Sequence, residues 1–295
     1  MTGSPNAAGQ PQPGPVPSSS KFSGLGVRVI VGVGLAAIVA VTMIWLRWGF
    51  IVLLAAFVAL GAHELGQAAA RKGWRPAWQV VAAGGAVVVL AEYAFSWFAP
   101  AALAPLPIGF AGCAVLVIAA WGWRLRGPAD GFLADAAVSA LIVAYLPLMM
   151  TFAVAMTRTT HPVAQIATFI ATIVANDAGA YTMGSWLGRH KMTPRISPAK
   201  TWEGFAGGIV WAGIAGALLV RFVMGASWWQ GAIFGLVLGL AATLGDLVES
   251  AVKRDVGVKD MGKLLPGHGG AMDRLDSMLY SAPVAWALLN LWISR

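Results

Sequence analysis

Nine runs of about 17–25 mostly apolar residues follow one another along this chain, each the length that carries a helix across the ~30 Å hydrocarbon layer of a bilayer. They fall near 27–46, 49–66, 77–98, 104–123, 133–156, 164–187, 203–224, 229–251 and 274–293. The expected fold is all-α: a polytopic integral membrane helical bundle of about nine transmembrane helices. Composition agrees, since 58% of the residues are hydrophobic and only 11% charged, where a soluble domain carries about a quarter. A mean hydropathy of +0.73 excludes an ordinary soluble domain.

The net charge of +8 would suggest a nucleic-acid partner in a soluble protein. Here the basic residues sit in short loops between the runs, so they are read as orientation and phosphate-binding charges, with no nucleic acid. Counted by side, sixteen lysines and arginines fall on one face and four (Arg47, Arg158, Arg221, Arg295) on the other. The positive-inside rule then puts the N-terminus in the cytoplasm and the C-terminus outside. Residues 1–24 are rich in Pro, Gly and Ser with no charge before Lys21, which predicts a disordered tail and not a secretory signal. The single cysteine, Cys113, leaves no intramolecular disulfide or cysteine metal site.

The acids are as uneven as the bases. Asp177, Glu203, Asp246, Glu249, Asp255, Asp260, Asp273 and Asp276 are eight of the twelve, so the chemistry is expected in the last four runs. Residues 25–160 are read as a scaffold of membrane helices, with Ala82-Ala83-Gly84-Gly85 suited to close packing, and 161–295 as the catalytic region. Glu64, Glu92 and Asp135 are expected to make structural polar contacts, and the tryptophans flanking the runs to form an interfacial belt.

Asp246 and Glu249 are spaced i, i+3 near the end of the eighth run, and Asp273 and Asp276 repeat that spacing at the start of the ninth, so each pair shares a helix face. Two such helix ends would repel in a low dielectric unless a divalent cation lay between them. Hard oxygen ligands favour magnesium over zinc. The plainer alternative has Asp273 capping the ninth helix and Glu249 pairing with Lys253. Between the pairs, Lys253, Arg254, Lys259 and Lys263 can neutralise phosphates. The turn Gly267-His268-Gly269-Gly270, just before a helix start, can offer backbone N–H groups to an anion.

A second cluster lies upstream. Asp177 interrupts the sixth run beside Asn176, and an acid inside a membrane is functional by default. The loop that follows carries Arg195, Ser197, Lys200, Thr201 and Glu203, cations, hydroxyls and an acid that suit a nucleotide's phosphates or sugar. Its alternative reading is a proline-bounded turn with Thr201 as a helix cap.

These residues resemble a known family, phosphatidate cytidylyltransferase of the bacterial type, also called CDP-diacylglycerol synthase. The resemblance rests on Ser250, Lys253-Arg254, Lys259-Asp260, His268-Gly269-Gly270 and Asp273-Arg274-Leu275-Asp276, supported by Ile196-Ser197-Pro198, Lys200-Thr201-Trp202-Glu203-Gly204, the segment from Asp177 to Tyr181, and Gly245 to Ser250. It covers about residues 170–280; Ala271 and Ala178 depart from the family pattern, which usually has a larger aliphatic residue at the first position and commonly Ser or Thr at the second. The resemblance implies that CTP and phosphatidate give CDP-diacylglycerol and pyrophosphate, in phospholipid biosynthesis, at the cytoplasmic face of the cell (inner) membrane. It implies Mg²⁺, as one or two ions or together with a monovalent cation such as K⁺, and a homodimer. Asp246, Asp273 and Asp276, with Asp177, would hold the metal; Lys200, Lys253, Arg254 and Lys259 would hold the triphosphate or lipid headgroup. Ser197, Thr201, Glu203, Asp260, His268, Gly269, Gly270 and Arg274 complete the expected substrate site. The nucleophile is a phosphate oxygen already ionised at neutral pH, so positioning and charge neutralisation suffice.

Two rival readings fit parts of the pattern. A CTP-using polyprenol kinase would move the γ-phosphate to a lipid hydroxyl and need a base. A cation transporter would set its acids near the bilayer centre, whereas these crowd the helix ends.

Overall fold

The computed structural model describes residues 21–95, 105–262 and 269–293, and within these every side chain except those of 21–31 and 105–107. Helix α1 (Lys21–Trp45) leads into α2 (Arg47–Ala70), α3 (Trp78–Phe95) and α4 (Pro105–Arg124). Next come α5 (Phe132–Val143) and α6 (Met149–Met156), two halves of one rod joined by a wider π turn at Ala144–Leu148. That turn contains Pro147, which has no N–H to give the helix, and the extra residue per turn absorbs the fault. Then follow α7 (Pro162–Leu187), α8 (Trp202–Phe222), α9 (Trp228–Asp255) and α10 (Met272–Leu288), with a final π turn at Leu289–Ile293.

The predicted runs coincide with these helices to within a few residues at nearly every end. Among the described residues, six helical rods are long and apolar enough to cross a membrane: α2, α3, the α5–α6 rod, α7, α8 and α9. Helix α1 starts at Lys21, inside the segment expected as tail, while residues 1–20 lie outside the described residues. The bundle is all-α as expected, with one small addition: β1 (Lys191–Thr193) and β2 (Ser197–Thr201) pair antiparallel, Lys191 opposite Thr201 and Thr193 opposite Ser197. Strands of three and five residues carry no periodicity that could separate them from a loop.

Local chemistry marks the helix ends. Pro162 opens α7, where a missing N–H costs nothing. Ser227 and Gln230 form a capping box at α9, whose last turn carries Lys253 and Arg254 against the negative end of its dipole. Trp45, Trp48, Trp121, Trp228 and Trp229 are exposed near helix ends, as an interfacial belt requires.

Helices α7, α8 and α9 pack through small residues. Gly204, Gly208, Ala212 and Gly216 recur every fourth residue on α8 and are buried; Gly204 and Gly208 lie against Ala180 and Asn176 of α7, while Ala212 and Gly216 face Gly231, Gly235 and Gly239 of α9. A methyl group on Gly235 would strike the carbonyl of Ala212, and one on Gly216 the carbonyl of Gly231, so backbone lies on backbone. Gly84 and Gly85 of α3 likewise admit Leu116, Val58 and Pro147.

Long-range contacts gather the polar loops at one end of the bundle. Lys72, just past α2, meets Asp255 at the end of α9 at 2.5 Å. Arg254 donates from Nε to the Ile196 carbonyl in the hairpin turn at 3.1 Å. The backbone N–H of Arg75 donates to Asp135 Oδ1 at 2.5 Å, and Arg124 pairs with Asp135 Oδ2 at 2.6 Å with both side chains buried. These are the loops in which the sequence concentrates its basic residues.

Candidate active site

Three helices bring acids to one cavity of about 1010 Å³: Asp177 from α7, Asp246 from α9, and Asp273 and Asp276 from the head of α10. Gly245 makes the α9–α10 approach possible, since a Cβ there would lie 2.5 Å from the Asp276 carbonyl oxygen. Asp246 Oδ2 lies 2.7 Å from Lys200 Nζ on β2, and its Oδ1 accepts from Ser250 Oγ at 3.3 Å. Asp276 accepts from the Ser277 backbone N–H, and Asp177 from Asn176 Nδ2 at 3.3 Å. Asp177 and Asp276 each lie within electrostatic reach of Asp246, and Lys200 and Arg274 offset the charge near Asp177.

Asp273 is differently engaged. Its Oδ2 accepts from the Gly270 N–H at 2.7 Å and the Met261 N–H at 3.1 Å, while its Oδ1 is ion-paired to Lys253. Lys253 Nζ also lies 2.5 Å from Oε2 of fully buried Glu249, one turn back on α9. The i, i+4 contact considered from the sequence is thus formed, whereas Asp273 does not cap α10: it lies in the first turn and accepts from N–H groups of the preceding loop, with Lys253 as the cation common to both acids. Gly269 just before adopts φ +78°, and a Cβ there would sit 2.6 Å from Asp273 Oδ2, so only glycine fits this turn.

Hard oxygen donors facing one cavity fit a divalent cation in kind. They stand apart from one another as placed: among the described residues no group of three or more His, Cys, Asp or Glu is gathered closely enough to hold an ion. The lysine amines on Asp246 and Asp273 supply the positive charge at those two carboxylates.

The hairpin uses several expected substrate residues for its own construction. Thr201 Oγ1 accepts from the Gly204 N–H at 3.2 Å and caps α8. Glu203 accepts from the backbone N–H groups of Arg189 and His190 and lies 2.6 Å from His190 Nδ1. Ser197 is half-buried at the start of β2, Lys259 and Asp260 are exposed beyond α9, and Arg274 is exposed at the cavity wall. His268, with Lys263 and Gly267, lies outside the described residues.

Beyond the acids the cavity turns apolar, lined by Leu35 and Val39 of α1, Phe50 and Phe57 of α2, and Ile166 and Ile170 of α7. It therefore joins a charged end to a hydrocarbon-like end.

Comparison with known proteins extends the likeness well beyond these residues. A model of the cytidylyltransferase family matches residues 26–292. The chain belongs to the cytidylyltransferase family. It is 36% identical over 283 residues to a phosphatidate cytidylyltransferase of Mycobacterium leprae, covering 90% of this chain and 88% of that one. A phosphatidate cytidylyltransferase of Brucella suis is 34% identical over 282 residues, 90% of this chain and 93% of its own. One from Synechocystis is 50% identical over 123 residues, 39% of this chain and 40% of that protein. The protein is thus a nucleotidyltransferase, and every acid lining the cavity falls within the family match.

In this cytidylyltransferase one residue that the sequence presents only as a structural contact holds a decisive position. Glu64 of α2, buried, accepts from the N–H groups of Ala271 and Met272 at 2.9 Å each, and so holds the first turn of α10. Gly262 and Gly270 press against its carboxylate, where a methyl on either would collide. An acid inside a membrane run was the available signal; its partners, 207 and 208 residues away, were not visible. The scaffold half therefore builds part of the site.

Proposed function

We propose that this cytidylyltransferase acts on phosphatidate, converting it with CTP to CDP-diacylglycerol and pyrophosphate in phospholipid synthesis. The observation that carries the reading is the single cavity that is apolar along α1, α2 and α7 and acidic at its α9–α10 end. A headgroup at the acids leaves its acyl chains among Leu35, Phe50 and Ile170, and the Mycobacterium leprae and Brucella suis proteins named above share most of their length with this one. The cavity opens the site to lipid while nucleotide comes from water, which fits an enzyme of the cell membrane working at its cytoplasmic face, with about nine spans and the N-terminus inside. The clustering of basic loops at that end supports this orientation. The family resemblance supports a homodimer.

In the reaction a phosphate oxygen of phosphatidate attacks the α-phosphorus of CTP, and the bond from that phosphorus to the bridging oxygen breaks as pyrophosphate leaves. Mg²⁺, as one or two ions or with K⁺, would be held by Asp246, Asp276 and Asp177, with Asp273, and when bound it offsets the charge on the phosphate oxygens. Lys200 sits beside Asp246, where an incoming phosphate competes with that carboxylate for its amine. Lys253 is shared between Glu249 and Asp273 and is available to phosphate on the same terms. Arg254, Lys259 and Arg274 add cations around the mouth, and Ser197, Asp260, His268, Gly269 and Gly270 complete the substrate site. No strong base is needed, because the nucleophile is already anionic.

The test is an assay of the purified chain with labelled CTP, Mg²⁺ and phosphatidate micelles. Release of pyrophosphate with label in a CDP-lipid is expected. Transfer of the γ-phosphate to a lipid alcohol, with CDP released, would replace this reading by a kinase, and ion movement in liposomes without CTP consumption would replace it by a transporter.

A further inference from the structure

Behind the acids lies a hydroxyl that the reaction as described does not use. Tyr145 is 5% exposed, and its OH has no hydrogen-bond partner among the described residues. Its ring meets that of Tyr280 on α10 edge to face, with centroids 5.5 Å apart. Tyr280 itself stands one turn beyond Asp276, where its Cβ and the Asp276 carbonyl both press on Gly245. The Tyr145 oxygen is within electrostatic reach of Glu249, Asp276 and Asp246. The field of three carboxylates thus reaches a buried donor that bonds to none of them.

The backbone explains how it arrives there. Tyr145 belongs to the π turn Ala144–Leu148, where the Pro147 fault widens the helix. The wider turn re-aims the side chains of that segment relative to a regular α-helix, and such turns recur at functional sites. A buried hydroxyl without an acceptor is normally eliminated from an interior, since phenylalanine fills the same volume without the penalty. Its presence beside acceptors points to a bond made in another state of the site.

Resting on the phosphatidate cytidylyltransferase reading, we propose that Tyr145 is a positioning residue, whose hydroxyl donates to the Glu249–Asp276 carboxylates in the loaded enzyme and orients Asp276 toward metal and headgroup. Among the described residues Asp276 bonds only to its neighbouring Ser277 N–H, through Oδ1, so its carboxylate has an oxygen to offer. The residue acts through Asp276 and does not itself touch the reacting phosphates.

The experiment uses the purified full chain and Tyr145→Phe, measuring the thermal midpoint with and without Mg²⁺, the Mg²⁺ concentration for half-maximal turnover, and kcat and KM for CTP. The midpoint without Mg²⁺ should equal or exceed that of the wild type. The rise in midpoint on adding Mg²⁺ should shrink, the half-maximal Mg²⁺ concentration should increase, and kcat should fall roughly tenfold or more with KM for CTP changed less, as for other groups that orient metal ligands. A variant within twofold of the wild type in kcat and in its Mg²⁺ response overturns the proposal. So does a loss of activity matched by a lowered midpoint without Mg²⁺, which would mark a packing role. A wild type that makes no CDP-lipid would instead refute the reaction assigned above; an active wild type indistinguishable from the variant refutes only the role of Tyr145.

Discussion

Glu64 and Met272, 208 residues apart, are joined by a 2.9 Å hydrogen bond from the Met272 N–H to the buried Glu64 Oε2. A helix start has N–H groups with no partner in their own helix, and here a carboxylate from α2 supplies the acceptor. The orientation of Asp273 and Asp276 is therefore set partly from the amino-terminal half of the chain.

Replacing Glu64 by alanine strands the N–H groups of Ala271 and Met272 in a buried place. We expect a loss of about 2–6 kcal/mol of stability and of most turnover, since each of the two unmet buried donors costs roughly 1–3 kcal/mol. Glu64→Gln keeps an accepting oxygen and should lose less of both. Thermal unfolding in detergent and CTP turnover on the same preparations check the order, and equal behaviour of the two variants would count against it.

Gly269→Ala combines a left-handed backbone with a collision at Asp273. The backbone alone costs on the order of 1–2 kcal/mol, and the displaced Asp273 should lower turnover further. An alanine variant with wild-type kcat would refute the claim that this turn must be glycine.

Asp246→Asn and Asp276→Asn each remove a charge from the acid end of the cavity. Turnover should fall roughly a hundredfold or more, the scale on which preorganised electrostatic groups act. The partly exposed Asp246 pair with Lys200 contributes little to folding, so Asp246→Asn should unfold near the wild-type temperature. Variants that fold and retain most of their activity would remove these residues from the mechanism.

Two ion pairs of nearly equal length provide an internal contrast. Lys72 and Asp255 approach to 2.5 Å with side chains 32% and 59% exposed, whereas Arg124 and Asp135 approach to 2.6 Å at 6% and 4%. Lys72→Ala should cost less than about 1 kcal/mol, because water and salt screen the exposed pair. Arg124→Ala strands a buried carboxylate and should cost about 3–5 kcal/mol. Unfolding measurements that reverse this order would mean that burial does not govern these pairs.

The helices could be read from the sequence because a bilayer imposes a length, and stretches such as 133–156 and 203–224 have it. The acids could be read because Asp177 and Asp246 lie within apolar helices and Asp273 and Asp276 at the head of another, places where an acid has few innocuous reasons to sit. The hairpin could not, since Lys191–Thr193 and Ser197–Thr201 are too short for an alternating pattern and their pairing depends on a turn. The division of labour among charges was hidden too. That Lys253 serves Glu249 and Asp273 together, or that Glu203 closes on His190, depends on distances between elements that local spacing does not encode.

The contacts of bare glycine backbones along α7, α8 and α9 leave little room for those helices to slide past one another. A thicker or thinner host bilayer should then tilt the trio as one stiff plank, a cheaper accommodation than internal shear. Asp177 and Asp246 both ride on that plank, so their separation is insulated from the lipid around it. Turnover in vesicles of graded acyl length should vary little, and a steep dependence would show that the plank bends.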